Sequence, residues 1–298
     1  MTGANGLIGR ELCARLTKAN YTVIALVRNV SKSSSLLVQD VVAWEALSGP
    51  PEVKVLDGCD AVVHLAGEPV AAGRWTPKRK ELIRDSRVLG TKNLVKAFSL
   101  CKIPPKVLVS SSAIGYYGNS GNQILDEMSP MGDGFLSQVC DQWEAEVQQV
   151  VQWGTRIVLL RTGLVLSLDG GALSKILPPF KMFLGGPMGS GKQWMSWIHI
   201  KDEIEAIVYA IETNSLKGPV NLTAPHPVNN EQFSCQLARV LGRPALFRVP
   251  SLVMHILLGE MAENLLLGGQ RVLPLELQKS GYSFYYPDLN SALQDLIN

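Results

Sequence analysis

The stretch that most restricts the fold is the opening, Thr2-Gly3-Ala4-Asn5-Gly6-Leu7-Ile8-Gly9-Arg10, where three glycines at three-residue spacing run into a helical stripe. Glycine tolerates left-handed dihedrals and lets a second backbone come close. In this spacing Gly3 makes the turn, Gly6 gives a diphosphate bare backbone to lie against, and Gly9 lets the helix pack on a sheet. The helix start then faces the phosphates with free N–H groups and the positive end of its dipole. The functional reading is a dinucleotide site; the alternative is a structural glycine turn. The fingerprint normally follows a hydrophobic strand, yet only Met1 precedes Thr2. That strand sits in the middle of a doubly wound sheet, so the expectation is a first strand missing from the sheet centre. An incomplete N-terminus or a replacement strand from elsewhere would explain it.

The chain continues in a strand-helix rhythm. Ile8, Leu12 and Leu16 mark the first helix, and residues 21–27 read as a buried strand. Arg28 ends that strand, where an NAD site places an acid and an NADP site a base for the 2′-phosphate. Asn29, Ser31 and Lys32 add donors, so the expected cofactor is NADP. A weaker strand lies near 41–44, and 61–67 is a strand ending in the small residues Ala66 and Gly67. His64 reads as a packed core histidine. A helix lined by Val88, Thr91, Val95 and Phe98 follows, with Arg87 just before it, and 106–112 is a strand ending in three serines. Ligands of open α/β sheets bind beyond the carboxyl ends of strands. Ser112, Tyr116 and Tyr117 are therefore the catalytic candidates, with structural hydrogen bonding as the alternative.

Val139, Trp143, Val147 and Val151 mark another helix, and 156–160 another strand leading to Leu164. From Asp169 the composition turns loop-rich, with Gly170-Gly171, Pro178-Pro179 and the glycines of 185–191. The run 186–192 matches a phosphate loop only superficially: Gln193 replaces the Ser/Thr that would hold magnesium, and 173–184 is not a strand. A short strand near 197–202 leads into a helix with Ile204, Ile207, Val208 and Ile211 on one face. A helix near 231–241, the apolar stretch 252–258 and a terminal helix at 289–297 complete the chain. The fold class is α/β, a Rossmann-type doubly wound parallel sheet with a smaller C-terminal lobe. Residues 1–166 and 197–222 form the expected nucleotide-binding domain, and 167–196 with 223–298 the substrate side.

A net charge of +2 with 18% charged residues argues against nucleic acid or an anionic membrane as the main partner. Five scattered cysteines without a C-x-x-C pair point to reduced thiols in a reducing compartment, cytoplasmic or within an organelle if a targeting segment is lost. The four histidines lack ligand spacing, so no metal is expected. No apolar run reaches the length of a membrane span. The expected partner is a small molecule.

TGANGLIGR, VVHLAG, SSSAIGYYG, RTGLVL and WIHIKDE, in this order, resemble the extended short-chain dehydrogenase/reductases of the NAD-dependent epimerase/dehydratase type. GEPVAAGRWT, GGPMGSGKQWMSWIHI and GGQRVLP resemble its atypical epimerase-like branch, found in bacteria, plastids and animals. The resemblance implies cofactor contacts at Gly3, Gly6, Leu7, Ile8, Gly9, Arg28, Leu65, Ala66, Gly67, Arg87 and Leu164. It also implies a Tyr-x-x-x-Lys dyad, whose tyrosine exchanges the proton and whose lysine lowers its pKa. Ser112 matches the serine that accompanies the dyad. Counting back from Trp143-Glu144, the dyad positions hold Leu136 and Cys140, neither of which can do that chemistry. Two expectations follow: an NADP-dependent oxidoreductase with a displaced acid, Tyr117 or Tyr116, or a catalytically inactive NADP(H)-binding sensor or scaffold.

Overall fold

The computed structural model describes residues 1–297. Six strands form one parallel sheet in the order β2 (Asp40–Ala43), β1 (Ile24–Val27), Thr2, β3 (Ala61–His64), β4 (Val107–Ala113), β6 (Arg156–Thr162), β10 (Gly218–Leu222). Helices α1 (Leu7–Lys18) and α5 (Ile200–Glu212) cover one face, and α2 (Pro77–Phe98) and α3 (Phe135–Gln148) the other. The strands read as near-continuous apolar runs because both faces are buried. Val107, Val109, Val158 and Leu160 point to the first face, while Leu108, Ile157 and Leu159 point to the second.

The centre of the sheet closes in a way the sequence did not disclose. Thr2 bridges Leu26 and His64, its N–H donating to the Val63 carbonyl at 2.9 Å. The Met1 carbonyl accepts from the Leu26 N–H at 2.7 Å, and the Met1 amine donates to the Ile24 carbonyl. Two residues thus hold the central position between strands of four.

Two expectations require correction. Arg87 lies in the middle of α2, not before it, because the helix starts ten residues earlier at Pro77 under a Thr76 cap that accepts from the Arg79 N–H. Pro178 and Pro179 lie inside α4 (Leu173–Lys181), not in a loop: Leu173, Leu177 and Phe180 bury one face, and that packing outweighs the lost N–H groups.

A third apolar cluster joins α4 to α6 (Asn230–Leu241) and α10 (Leu289–Ile297). Its centre is Trp197 on β9 (Trp197–His199), which pairs with β7 (Leu164–Leu166). Two further ribbons tie the C-terminal lobe to the loops above the sheet: β5 (Ile124–Leu125) with β12 (Arg271–Val272), and β8 (Trp194–Met195) with β11 (Val228–Asn229). Helices α7 (Ser251–Leu258) and α8 (Glu260–Ala262) reach back to α2 through a Lys80–Glu260 ion pair at 2.8 Å; α9 (Leu275–Ser280) packs by β10. Among the described residues no helix is long and apolar enough to cross a membrane, and no His/Cys/Asp/Glu cluster suits a metal.

Candidate functional site

A groove of about 710 Å³ runs along the carboxyl ends of β1, β2 and β3. Its floor is the glycine turn. Gly3 has φ +68°, and a Cβ there would lie 2.6 Å from the Leu65 carbonyl carbon; a Cβ on Gly9 would overlap the Gly3 carbonyl oxygen. Those two positions therefore seat α1 against the turn. The first turn of α1 carries no acid and its cap Gly6 no side chain, so its N–H groups and dipole remain free for an anion.

Gly3, Gly6, Arg28, Leu65, Ala66 and Gly67 all line this groove. The other expected contacts lie around it. Gly9 is beneath the turn, Leu7 packs toward Gly170 and Gly171, and Ile8 faces the core. Leu164 sits on β7 opposite Trp197. Arg87 donates to the Glu68 and Ile83 carbonyls at 3.0 and 3.1 Å, with its guanidinium against Gly67, where a Cβ would lie 3.2 Å from Cζ. Arg10, Lys32, Trp44, Glu45 and Ser86 also line the groove. Trp44 was within reach of sequence reasoning, since it immediately follows a strand at the sheet's carboxyl edge. Arg10 and Ser86 gave no signal, because helix surface positions are ordinarily polar.

His64 is fully buried, with Thr2 Oγ1 2.7 Å from Nδ1 and Thr91 Oγ1 2.9 Å from Nε2. Burial lowers its pKa to about 4, so it is a neutral core histidine holding the floor of the site.

Beyond the groove, at the end of β4, the three catalytic candidates enter one buried network. Ser112 donates its only hydroxyl proton to Glu144 Oε1 at 2.6 Å. Glu144 is gripped by Arg161 through two bonds of 2.9 and 2.8 Å. Tyr117 is 1% exposed; its hydroxyl donates to Asn221 Oδ1 at 2.7 Å and accepts from Arg161 Nη1 at 3.1 Å. Burial pushes its pKa up to about 12. The Tyr116 ring lies on the Arg161 guanidinium, 3.5 Å from centroid to Cζ. The network partners Glu144, Arg161 and Asn221 were missed: each comes from a different element, and only folding brings them together.

On α3, Leu136 packs beside Gly115 and joins an apolar cluster with Trp75, Phe135 and Met261. Cys140 is buried among Ser112, Glu144 and Arg87, and burial pushes its thiol up to about 11. The Arg87 guanidinium is thus a cation whose charge acts on the Cys140 thiol, the position where the resemblance implies a lysine. Glu203 on α5, fully buried beneath the same sheet edge, accepts from Thr162 Oγ1 at 3.0 Å and leaves Oε2 without a partner.

Comparison with known proteins agrees with this architecture. Residues 1–222 match the model of the NAD dependent epimerase/dehydratase family, and residues 249–296 match a domain of unknown function. The chain is 40% identical to the epimerase family protein Mb2239 of Mycobacterium bovis over 293 residues, 98% of this chain and 95% of that one. It is also 40% identical to the chloroplastic epimerase family protein SDR39U1 homolog of Arabidopsis thaliana, covering 100% of this chain and 86% of the relative. The crystal structure of human epimerase family protein SDR39U1 (isoform 2) with NADPH superposes with a TM-score of 0.87 at 33% identity, covering 99% of this chain and 97% of that one. UDP-glucuronic acid 4-epimerase from Bacillus cereus, in complex with UDP-glucuronic acid and NAD, shares the fold with a TM-score of 0.77 at 19% identity. On the match over residues 1–222 and these full-length likenesses, the chain belongs to the NAD dependent epimerase/dehydratase family.

Proposed function

We propose that the chain is an NADP(H)-dependent oxidoreductase of the epimerase-like branch, acting on a small molecule without the usual tyrosine-lysine dyad. One observation carries the cofactor preference: Arg10, Arg28 and Lys32 converge on the groove at the end of β1, against Glu45 as the one unpaired acid among its described lining residues. The residues fit the cofactor. The bare turn at Gly3 to Gly6 and the start of α1 would hold the diphosphate, Arg28 and Lys32 the 2′-phosphate, and Leu65 to Gly67 the adjoining ribose edge. The human relative crystallised with NADPH supports the same reading. Bound there, the cofactor supplies hydride chemistry, and this chain's residues orient it and exclude water.

The test is titration of the purified protein with NADPH and NADH. Charge-assisted bonds to a phosphate contribute roughly 1.5–3 kcal/mol, so NADPH is expected to bind about ten- to hundredfold more tightly. Arg28→Ala removes most of that preference, and matching curves for the two cofactors would overturn the assignment. The second reading, an inactive NADP(H)-binding sensor, draws on Leu136, Cys140 and the commitment of the Ser112 proton to Glu144. NADPH binding with no turnover of any acceptor would favour it.

A further inference from the structure

We propose that this chain docks on the surface of an anionic lipid bilayer through an apolar face formed by α7 and the two loops beside it. The face shares no residue with the groove at the end of β1 and is independent of what that groove binds.

Two stretches of sequence build it. Residues 170–201 and 232–259 contain no Asp or Glu, yet together they carry four lysines and three arginines. The fold lays one stretch against the other. The Phe247 N–H donates to the Gly185 carbonyl at 3.2 Å, the Val249 N–H to the Pro187 carbonyl at 2.9 Å, and the Gly189 N–H to the Val249 carbonyl at 2.8 Å. A Cβ on Gly186 would overlap the Phe247 backbone, so the contact leaves no gap. The whole-chain charge of +2, which by itself argues against an anionic membrane, conceals this segregation of the cations.

Apolar side chains crowd the outer surface of the pairing. Met182, Phe183 and Leu184 follow α4 on one side, and Leu246 and Phe247 stand on the other. The chain then turns at Pro250 into α7, whose sequence SLVMHILL is apolar at six of its eight positions. Of these Met254 alone is buried; Leu252, Val253, Ile256 and Leu257 are exposed. In all, nine large apolar side chains have 42–78% of their surface open to solvent. That is on the order of 1,000 Å², against about 300–600 Å² for the largest apolar patch of an ordinary monomer. Phe183 is held outward under strain, since its φ of +64° is a left-handed conformation that a bulky residue rarely adopts.

The cations decide what covers the face. Arg243 lies over the Phe183 ring, 4.5 Å from its centroid to Cζ, and Lys181 is exposed next to Met182. Among the described residues neither cation meets a carboxylate. The acids at the edge are matched: Glu231 by Arg248 at 3.2 Å and Glu260 by Lys80 at 2.8 Å, while Glu263 lies 3.5 Å from His255. The occupant must therefore bring anions to the rim and hydrocarbon to the centre. A second copy of the same face would set cation against cation. A bilayer supplies both in one layer, headgroup anions level with Arg243 and acyl chains for Phe183 and the exposed side of α7. At eight residues α7 is far too short to cross a membrane, and it suits a position in the interface.

The experiment is flotation of the purified full chain with vesicles of phosphatidylcholine alone or with about 30% phosphatidylserine. Flotation separates bound protein from aggregate. The chain should float with the anionic vesicles, bind the neutral ones at least about tenfold more weakly, and lose affinity for the anionic ones as salt rises. Phe183→Ser combined with Ile256→Ser should weaken binding to anionic vesicles by about tenfold or more. Lys181→Gln combined with Arg243→Gln should bring it down to the neutral-vesicle level. All four positions are exposed, so both double variants should keep the parent's melting midpoint, which separates lost docking from lost folding. Absence of flotation with either vesicle overturns the proposal, as does equal binding by the parent and both double variants, or binding to neutral vesicles as tight as to anionic ones. Sedimentation of the free chain supplies the remaining outcome: a dimer that Phe183→Ser with Ile256→Ser dissolves, in a chain that does not float, would assign the face to a second copy and overturn the bilayer.

Discussion

Removing one oxygen from Tyr117 probes the network behind the site. Tyr117→Phe strands Asn221 Oδ1 and one Arg161 N–H in a buried setting, at a cost of about 1–3 kcal/mol. At roughly 2–4 °C of Tm per kcal/mol for a chain of this size or somewhat smaller, the melting midpoint should fall by several degrees. NADPH affinity should not change, because the hydroxyl points away from the groove toward β10. A calorimetric melt alongside an NADPH titration checks both; lost affinity with an unmoved midpoint would put the hydroxyl in the binding site. The position of Tyr117 at the sheet's carboxyl edge was legible in its loop, but its burial was not. What buries it is Arg161 and Asn221, supplied by β6 and β10. Ser112 teaches the same lesson, since nothing in the serine run indicates that Glu144 will take its proton. The place of Arg28 in the groove was readable because it sits one step beyond the strand that follows the glycine turn.

Helix α5 carries the clearest pH signature of any element. Its apolar face, with Ile204, Ile207 and Val208, was plain from the spacing. The same packing draws Glu203 fully under the sheet edge, where burial raises its pKa to about 8 against an unperturbed 4.5, opposed by the Thr162 hydrogen bond. The folded state therefore holds a proton that the unfolded chain releases above pH 4.5. Stability from this group is complete below that pH, declines as pH rises toward 8 and is flat beyond. Glu203→Gln keeps the shape and removes the titration, so the variant's melting midpoint should exceed the parent's at pH 8.5 and approach it near pH 4.5. A constant difference across that range would show that Glu203 is ionised in the fold. Helix α2 was half hidden for a different reason. The charged run 78–87 lacks an apolar stripe long enough to mark a helix, and only the Thr76-Pro77 start signal announces it.

Across the whole molecule the alternation of strands and helices was legible because most elements carry their own apolar stripe or run, whereas the closure of the sheet was not, because it depends on two residues with no periodicity at all. Among the described residues, Met1 and Thr2 are the only backbone hydrogen-bond link between the β2–β1 half and the β3–β4–β6–β10 half. Packing of Leu12, Cys13 and Leu16 of α1 across Ala25, Val27 and Val63 supplies the rest of the connection. Among the described residues the bridge spans Ile24 to Leu26 on one side and Val63 to His64 on the other, and each ladder hydrogen bond added upstream of it is worth about 0.5–1.5 kcal/mol. A version extended ahead of Met1 by about five apolar, β-branched residues, the usual strand length, should therefore melt at a higher temperature than the 298-residue chain. It should also slow amide exchange at Ile24 and Ala61, which flank the seam. NADPH affinity should change little, since the glycine turn is already seated by Gly9 and the Leu65 backbone. Matched midpoints and unchanged exchange would mean that the α1 packing alone carries the two halves, making the central strand a matter of topology more than of stability.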